Sequence, residues 1–202
     1  MIMSKTCKNL LSTATLFFLF SSFSVSATDI SLDLESHHGK FIKITIKNNV
    51  SRVVYDGEAL NLDSGSKKIF SLSNAISSVG TRSLILDGDE FLWLFIRVPS
   101  RDAQGKGYCG AGTEDYLYLF NIKRSDFRKV AQFRLQSCLK NLSIGIDELE
   151  DIKESSKISF DQKTGIIKFM QEAVNTQEVT AKKITLSPTK LGITAQEKNF
   201  KN

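Results

Sequence analysis

Histidine is scarce in this chain. The only two among 202 residues, His37 and His38, are adjacent near its start. Neighbouring residues of a strand point to opposite faces, so the two rings form a poor ligand pair for one metal ion. A nucleophilic cysteine would need one of these histidines as its base, and the segment around Cys109 lacks the local signatures of the familiar cysteine proteases. We therefore expect no metal, no cofactor and no thiol catalysis, and a solvated segment around the histidines.

The chain also lacks a strong charge of either sign. Beyond residue 27 it has 25 basic and 22 acidic residues, a net charge of +3. No basic run is interleaved with aromatic residues, which argues against nucleic acid as a partner. After the first 27 residues, no apolar stretch is long enough to cross a membrane, since spanning takes about 20 residues.

The first 27 residues have the three parts of an export signal. Lys5 and Lys8 precede an apolar core from Leu10 to Val25, and Val25-Ser26-Ala27 fits the small-x-small cleavage rule. We expect cleavage before Thr28 and a mature protein that is periplasmic or secreted. Serines interrupt the apolar run, which disfavours the alternative of a retained membrane anchor.

Two cysteines remain in the expected mature chain, Cys109 and Cys138, 29 residues apart. An even number of cysteines in an exported chain predicts a disulfide. Closing a loop of this length stabilises a protein by roughly 3–4 kcal/mol if the bond is unstrained. The bond would fix a glycine-rich insert to the end of a later strand.

Two segments predict strands that are buried on both faces. From Phe91 to Ile96, aromatic residues alternate with aliphatic ones and no charge appears before Arg97. The segment from Asp115 to Asn121 repeats the plan, with Tyr116, Tyr118 and Phe120 on one face and Leu117 and Leu119 on the other. We expect these strands to be neighbours, joined by the insert from Pro99 to Glu114.

The rest of the chain predicts about ten strand-like runs and little helix. Ile42, Ile44 and Ile46 mark a half-buried strand, and Asp56-Gly57 and Asp87-Gly88 are typical of hairpin turns. The helix candidates are Ile146 to Ser155 and one turn within Ser71 to Ser77. We expect an all-β, mainly antiparallel sandwich, barrel or meander with at most one short helix. Residues 28–195 would form one domain, Pro188 would end the last strand, and residues 196–202 would be a frayed tail.

The insert from Pro99 to Glu114 is the candidate binding surface. Arg97 and Arg101 flank its entry, Lys106 and Tyr108 lie within it, and Glu114 closes it. Arginine and tyrosine carry much of the binding energy at protein interfaces, and long loops on a rigid scaffold are favoured places for function. The alternative is a structural loop that only covers the edge of the core near Trp93.

These observations favour an exported bacterial interaction protein, such as an inhibitor or immunity-type protein, that binds an enzyme acting in the cell envelope. The alternatives are a carboxylate-dependent hydrolase using Glu114 or Asp115 with an acid from elsewhere in the chain, a carbohydrate-binding protein, and a purely structural envelope protein. Asp115 follows Glu114 directly, and adjacent strand residues diverge, so spacing alone argues weakly for a catalytic pair.

Overall fold

The computed structural model describes residues 29–100, 112–144, 158–174 and 179–200. The predicted signal peptide and the predicted helix from Ile146 to Ser155 lie outside these residues. Within them the protein has fifteen strands and one helix. In chain order the elements are β1 (Ile30–Glu35), β2 (Phe41–Lys47), β3 (Val50–Tyr55), β4 (Glu58–Ala59), β5 (Asn61–Leu62), α1 (Ser64–Leu72), β6 (Ala75–Ser78), β7 (Leu84–Leu86), β8 (Asp89–Pro99), β9 (Thr113–Lys123), β10 (Asp126–Ser137), β11 (Leu142–Ile144), β12 (Ser159–Phe160), β13 (Ile167–Val174), β14 (Val179–Thr189) and β15 (Gly192–Phe200).

The strands form two sheets, and almost all pairings are antiparallel, which confirms the all-β prediction. The first sheet has four strands in the order β1-β2-β3-β4. The second has eleven, of which eight follow the path β15-β14-β13-β11-β10-β9-β8-β6. Short strands β5, β7 and β12 pair beside this path, and the pairing of β5 with β10 is parallel.

The β8–β9 hairpin is buried on both faces, as its sequence predicts. One face packs against the four-stranded sheet and α1 through Leu92, Leu94, Ile96, Tyr118, Phe120 and Ile122. The other face contributes Phe91, Trp93, Leu117 and Leu119 to a second core. Strands covered on both sides are the middle layer of a protein, so the ends of β8 and β9 are held by two cores at once.

The second core forms because the large sheet curls over itself. Ile167 and Phe169 of β13 and Ile184 and Leu186 of β14 share this core with Trp93 of β8, although all three strands belong to one sheet. The natural twist of a sheet allows such curling when the number of strands is large. The second core therefore consists of side chains from the concave face of a single sheet that packs against itself.

Hairpin turns with a left-handed backbone connect several strands. Asp56 and Gly57 have φ values of +52° and +87°, and Asp87 and Gly88 have values of +50° and +82°. Positive φ at both central residues defines the type I′ turn that matches strand twist. Both Asp-Gly turns predicted from the sequence are confirmed. Asn48-Asn49 makes a further turn of this kind, at +51° and +62°.

The helix lies earlier in the chain than predicted. α1 ends at Leu72, and residues 75–78 form β6, so the prediction of a helical turn within Ser71 to Ser77 is wrong beyond Leu72. Asp63 caps the helix by accepting a hydrogen bond from the Ser66 N–H at 2.6 Å. Phe70 is fully buried and stacks on Phe120 at 5.5 Å. Packing therefore stabilises this short helix despite its serine-rich sequence.

The C-terminal prediction is also corrected. β14 continues through Pro188 to Thr189, and residues 196–200 pair with β14 as the end of β15. β13 begins opposite Leu186, so at Pro188 the strand pairs only with β15 and tolerates a residue without an N–H. The frayed tail predicted for 196–202 is therefore wrong for 196–200, and 201–202 lie outside the described residues.

Within the described part of the chain, the nine-residue helix α1 is too short to cross a membrane, and no other helix is present.

Candidate functional site

The candidate site is the base of the β8–β9 insert, which we call the insert root and define as residues 97–100 and 112–115. β8 and β9 remain paired to the last position, with Pro99 opposite Thr113. Ser100 adds one more bond, donating its N–H to the carbonyl oxygen of Gly112 at 2.9 Å. Ladder pairing therefore extends into both ends of the predicted insert, and residues 101–111 between them lie outside the described residues.

A two-fold hydrogen-bonded ion pair joins the two strands at the root. Arg97 donates from Nε and Nη2 to the two carboxylate oxygens of Asp115, each at 2.8 Å. The residues are directly opposite in the ladder. Asp115 is fully buried, whereas the Arg97 side chain is 29% exposed. A planar guanidinium matches a carboxylate in this geometry, so the pair neutralises a charge that would otherwise be buried alone.

Glu114 ties three chain segments together on the opposite face of β9. One of its carboxylate oxygens accepts hydrogen bonds from the Ser100 hydroxyl at 3.1 Å and from the Leu139 N–H at 3.2 Å. Its other oxygen lies 3.6 Å from Nε of Arg134. Glu114 is only 5% exposed. It therefore fixes the end of β8, the start of β9 and the turn after β10 in one arrangement.

Aromatic residues continue the site along β9. Arg134 donates to the hydroxyl of Tyr116 from Nε at 3.3 Å and Nη2 at 3.2 Å, and its guanidinium lies 5.4 Å from the centre of that ring. The Tyr116 ring in turn contacts Tyr118, with centroids 5.7 Å apart. Burial raises the pKa of Tyr118 to about 12, and the nearby Tyr116 adds to the rise.

An open depression of about 590 Å³ lies beside the root. Its described lining is mainly uncharged amide, hydroxyl and backbone groups: Gly112, Thr113, Gln136, Ser137, Cys138, Asn141, Leu142 and Ser143. Its size is within the usual range for small-ligand pockets. It is wide open, so a ligand there would remain partly in water.

The structure brings together two of the five residues predicted to bind. Arg97 and Glu114 lie at the root, and both are engaged in intramolecular contacts. Arg101, Lys106 and Tyr108 lie outside the described residues, so their binding role stays a prediction. Cys109 also lies outside them, and its bond to Cys138 stays a prediction. Cys138 itself follows β10 directly, on the border of the open depression.

The positions of the acidic residues and the histidines bear on whether the protein could catalyse a reaction or bind a metal ion. Glu114 and Asp115 point to opposite faces of β9, and each faces an arginine, so they do not converge on one cleft. His37 and His38 are exposed, with their rings edge-to-face at 5.6 Å. Among the residues that the structure describes, no group of three or more histidine, cysteine or acidic side chains could hold a metal ion.

Sequence reasoning missed a buried polar cluster that joins the two sheets. Glu90 is 8% exposed and accepts hydrogen bonds from the Ser83 hydroxyl, the Tyr55 hydroxyl at 3.0 Å and the His37 N–H at 3.2 Å. Ser36, fully buried, accepts from the same Tyr55 hydroxyl at 3.5 Å. The only sequence signal was an acidic residue directly before an apolar strand, which also suits an ordinary turn.

Comparisons with known proteins found no relative from which a function could be inferred. No model of a protein family matches the chain, and neither the curated proteins nor the solved structures contain a significant match.

Proposed function

We propose that this chain is an exported interaction protein that binds an enzyme of the cell envelope, as an inhibitor or immunity-type protein does, through the β8–β9 insert. One observation carries the proposal. The insert starts and ends on strands packed on both faces, and its root is fastened by Arg97–Asp115 and by Glu114. A segment presented from a rigid base loses less freedom on association, which favours binding.

The contacts divide the five candidate binding residues into two roles. Glu114 is nearly inaccessible, and Arg97 is committed to Asp115, so in this proposal both maintain the root. Arg101, Lys106 and Tyr108 would make the contacts with the partner protein. Arginine and tyrosine are the residue types that most often dominate binding energy.

A disulfide between Cys109 and Cys138 would add a further constraint. Cys138 precedes Leu139, whose N–H is bonded to Glu114 at the root. Cys109 is three residues before Gly112, and a span of three residues is at most about 11 Å. Gly112 and Cys138 line the same depression. These positions support the bond.

Export rests on the order of charged, apolar and small residues over positions 1–27. The intact mass of the protein recovered from its compartment tests it. A mass that begins at Thr28 supports export and cleavage. A retained Met1 contradicts cleavage, and a lipid on a cysteine contradicts the expected signal type.

Affinity capture from envelope extracts tests the binding proposal. The test variant replaces Arg101, Lys106 and Tyr108 with alanine. The control variant replaces the exposed residues Arg52, Lys67 and Phe41, far along the chain from the insert. We expect the wild type and the control to retain the same envelope enzyme and the test variant to lose it, with an unchanged melting temperature. Retention by the test variant contradicts the proposal.

A second candidate function is carbohydrate binding at the open depression. Its uncharged amide and hydroxyl lining offers the hydrogen-bonding groups that a sugar would need. Replacing Gln136 with alanine should then weaken binding of envelope glycan fragments, whereas replacing Gln132 on the same strand should not. A carboxylate-dependent hydrolase is disfavoured, because Glu114 and Asp115 are both buried and each faces an arginine.

A further inference from the structure

A basic pocket lies on the β9–β10 hairpin, at the opposite end of β9 from the insert root. Its volume is about 340 Å³, and its described lining is Asn121, Lys123, Arg124, Asp126 and Arg128. All five belong to one hairpin, so local strand pairing alone builds the pocket. It is independent of the insert and of the binding function proposed above.

The strand register explains why these side chains meet. Lys123 is opposite Asp126, and Asn121 is opposite Arg128. Residues directly opposite in an antiparallel pair share a face. Arg124 occupies the turn between the strands, with a φ of +54°. Three cations from a strand end, a turn and a second strand therefore surround one space.

The charges of the pocket are not balanced internally. Three cations and one carboxylate give its lining a net charge of +2. Arg128 pairs with Asp126 at 2.6 Å, and Lys123 lies 3.5 Å from Asp89, which is not one of the described lining residues. Asp89 is shared, because Lys190 also approaches it at 3.1 Å. Within the described part of the chain, Arg124 makes no ion pair.

This distribution also affects Asp89. The hydrogen bond from Lys190 holds the pKa of Asp89 below its ordinary value, and the charge of Lys123 acts in the same direction. Like charges gathered in one place repel each other, and the described packing offers no compensating carboxylate for Arg124. An anion in the pocket would relieve that repulsion.

We propose that the pocket binds a phosphoryl group. A phosphoryl group carries several acceptor oxygens in a tetrahedral arrangement, so it can meet cations that approach from three directions. A carboxylate has two oxygens in one plane and suits a single guanidinium. Arg124 and Arg128 would supply forked donors, and Lys123 a point charge. The group belongs either to a small soluble phosphate or to a lipid headgroup.

Titration of the purified protein with inorganic phosphate, followed by amide NMR at constant ionic strength, tests the proposal. We expect saturable shifts centred on residues 121–128. Arg124→Gln should weaken binding about tenfold, the effect of one charge-assisted hydrogen bond. Glutamine keeps the side chain long without easing the left-handed turn, as asparagine or glycine would. Arg52→Gln, at an exposed arginine of β3, should bind like the wild type.

A variant that increases phosphate affinity shows that weaker binding in Arg124→Gln is not caused by misfolding. Asp126→Asn removes the carboxylate that occupies Arg128 and raises the lining charge from +2 to +3. It should bind phosphate more tightly than the wild type, by severalfold. A misfolded protein would not gain affinity, so this increase supports the pocket directly.

Vesicles distinguish the two sources of the group. If the protein binds inorganic phosphate, or binds phosphatidylglycerol vesicles but not neutral phosphatidylcholine vesicles, and Arg124→Gln weakens that binding about tenfold, the proposal holds for that source. Wild-type affinity in Arg124→Gln overturns it. Binding of acetate as tight as binding of phosphate also overturns it, as does the absence of saturation with every probe.

Discussion

Trp93 donates its indole N–H to the carbonyl oxygen of Gly165 at 3.0 Å, across 72 residues of sequence. Trp93 lies near the middle of β8, and Gly165 lies in the turn between β12 and β13. Both residues are buried, so the hydrogen bond satisfies an indole N–H that has no access to water. This bond attaches the curled part of the large sheet to its middle layer.

Gly165→Ala should destabilise the protein strongly. Gly165 has a φ of +70°, and a methyl group there would lie 2.8 Å from Leu84 Cδ1 and 2.9 Å from Pro188 Cγ. Backbone strain of about 1–2 kcal/mol and overpacking of about 1–3 kcal/mol should combine. Urea denaturation measures the loss. Gly57→Ala is the matched control: its φ is +87°, but nothing lies within 4 Å. Equal losses in both variants would contradict the close packing at Gly165.

Glu90→Leu should destabilise the contact between the two sheets. The substitution leaves the buried hydroxyl of Ser83 without its acceptor. The Tyr55 hydroxyl keeps only its longer bond to Ser36, and the His37 N–H keeps only its bond to Ser83. Each unsatisfied buried donor costs about 1–3 kcal/mol, so we expect a loss of at least that size in the free energy of unfolding. Glu90→Gln, which keeps one acceptor oxygen, should lose less. Glu58→Leu, at an exposed glutamate, should change stability by less than about 0.5 kcal/mol.

Arg97→Ala should lower stability by about 3–5 kcal/mol, because it leaves the fully buried carboxylate of Asp115 without its cation. Arg97→Lys keeps the charge but loses the forked geometry, so its loss should be intermediate. Thermal unfolding followed by circular dichroism measures both variants. An unchanged melting temperature in Arg97→Ala would show that Arg97 is available for a partner rather than holding the root.

Tyr118 should ionise well above the ordinary range of a tyrosine. Its pKa of about 12 lies above the ordinary value of 10.0 because of burial. A raised pKa means that the neutral form is favoured by folding, so its contribution to stability is complete below pH 10 and is lost as the pH rises towards 12. Ultraviolet absorbance during alkaline titration should show a late tyrosinate step, and Tyr118→Phe should remove it. Persistence of that step in the variant would assign it to another tyrosine.

Replacing Cys109 and Cys138 together with serine should lower the free energy of unfolding by roughly 3–4 kcal/mol. The physical reason is the greater freedom of the unfolded chain once the 29-residue separation is no longer bridged. Non-reducing peptide mapping of the wild type should find one linked pair. Ready alkylation of both thiols in the native protein would show that the bond is absent.

Alternation of side chains was enough to predict the middle layer. Both faces of β8 and β9 are apolar in sequence, and both are covered in the structure. The Asp-Gly turns were equally readable, because few residues adopt a left-handed backbone. These features depend on local sequence, so they can be predicted without knowing which residues far along the chain pack against them.

Features that depend on contacts between residues far apart in the sequence could not be predicted. α1 has weak intrinsic helix propensity, and the stacking of Phe70 on Phe120, fifty residues later, stabilises it. β15 is mostly polar and exposed, and it forms a strand because it pairs with β14 along its length. Glu114 resembled a surface residue until the register placed it beside Ser100 and Arg134. Residue type alone cannot show whether a charge is buried.

The order of the elements along the chain has a consequence for folding. β1 to β4 can pair with one another as soon as they are available, because their contacts are local. Their apolar face, however, is covered by β8 and β9, and β8 begins only at Asp89, 30 residues after β4 ends at Ala59. Until those strands arrive, Ile42, Ile44 and Val53 remain in contact with water. A shortened chain that ends before β8 should therefore form backbone pairs yet self-associate through this uncovered face.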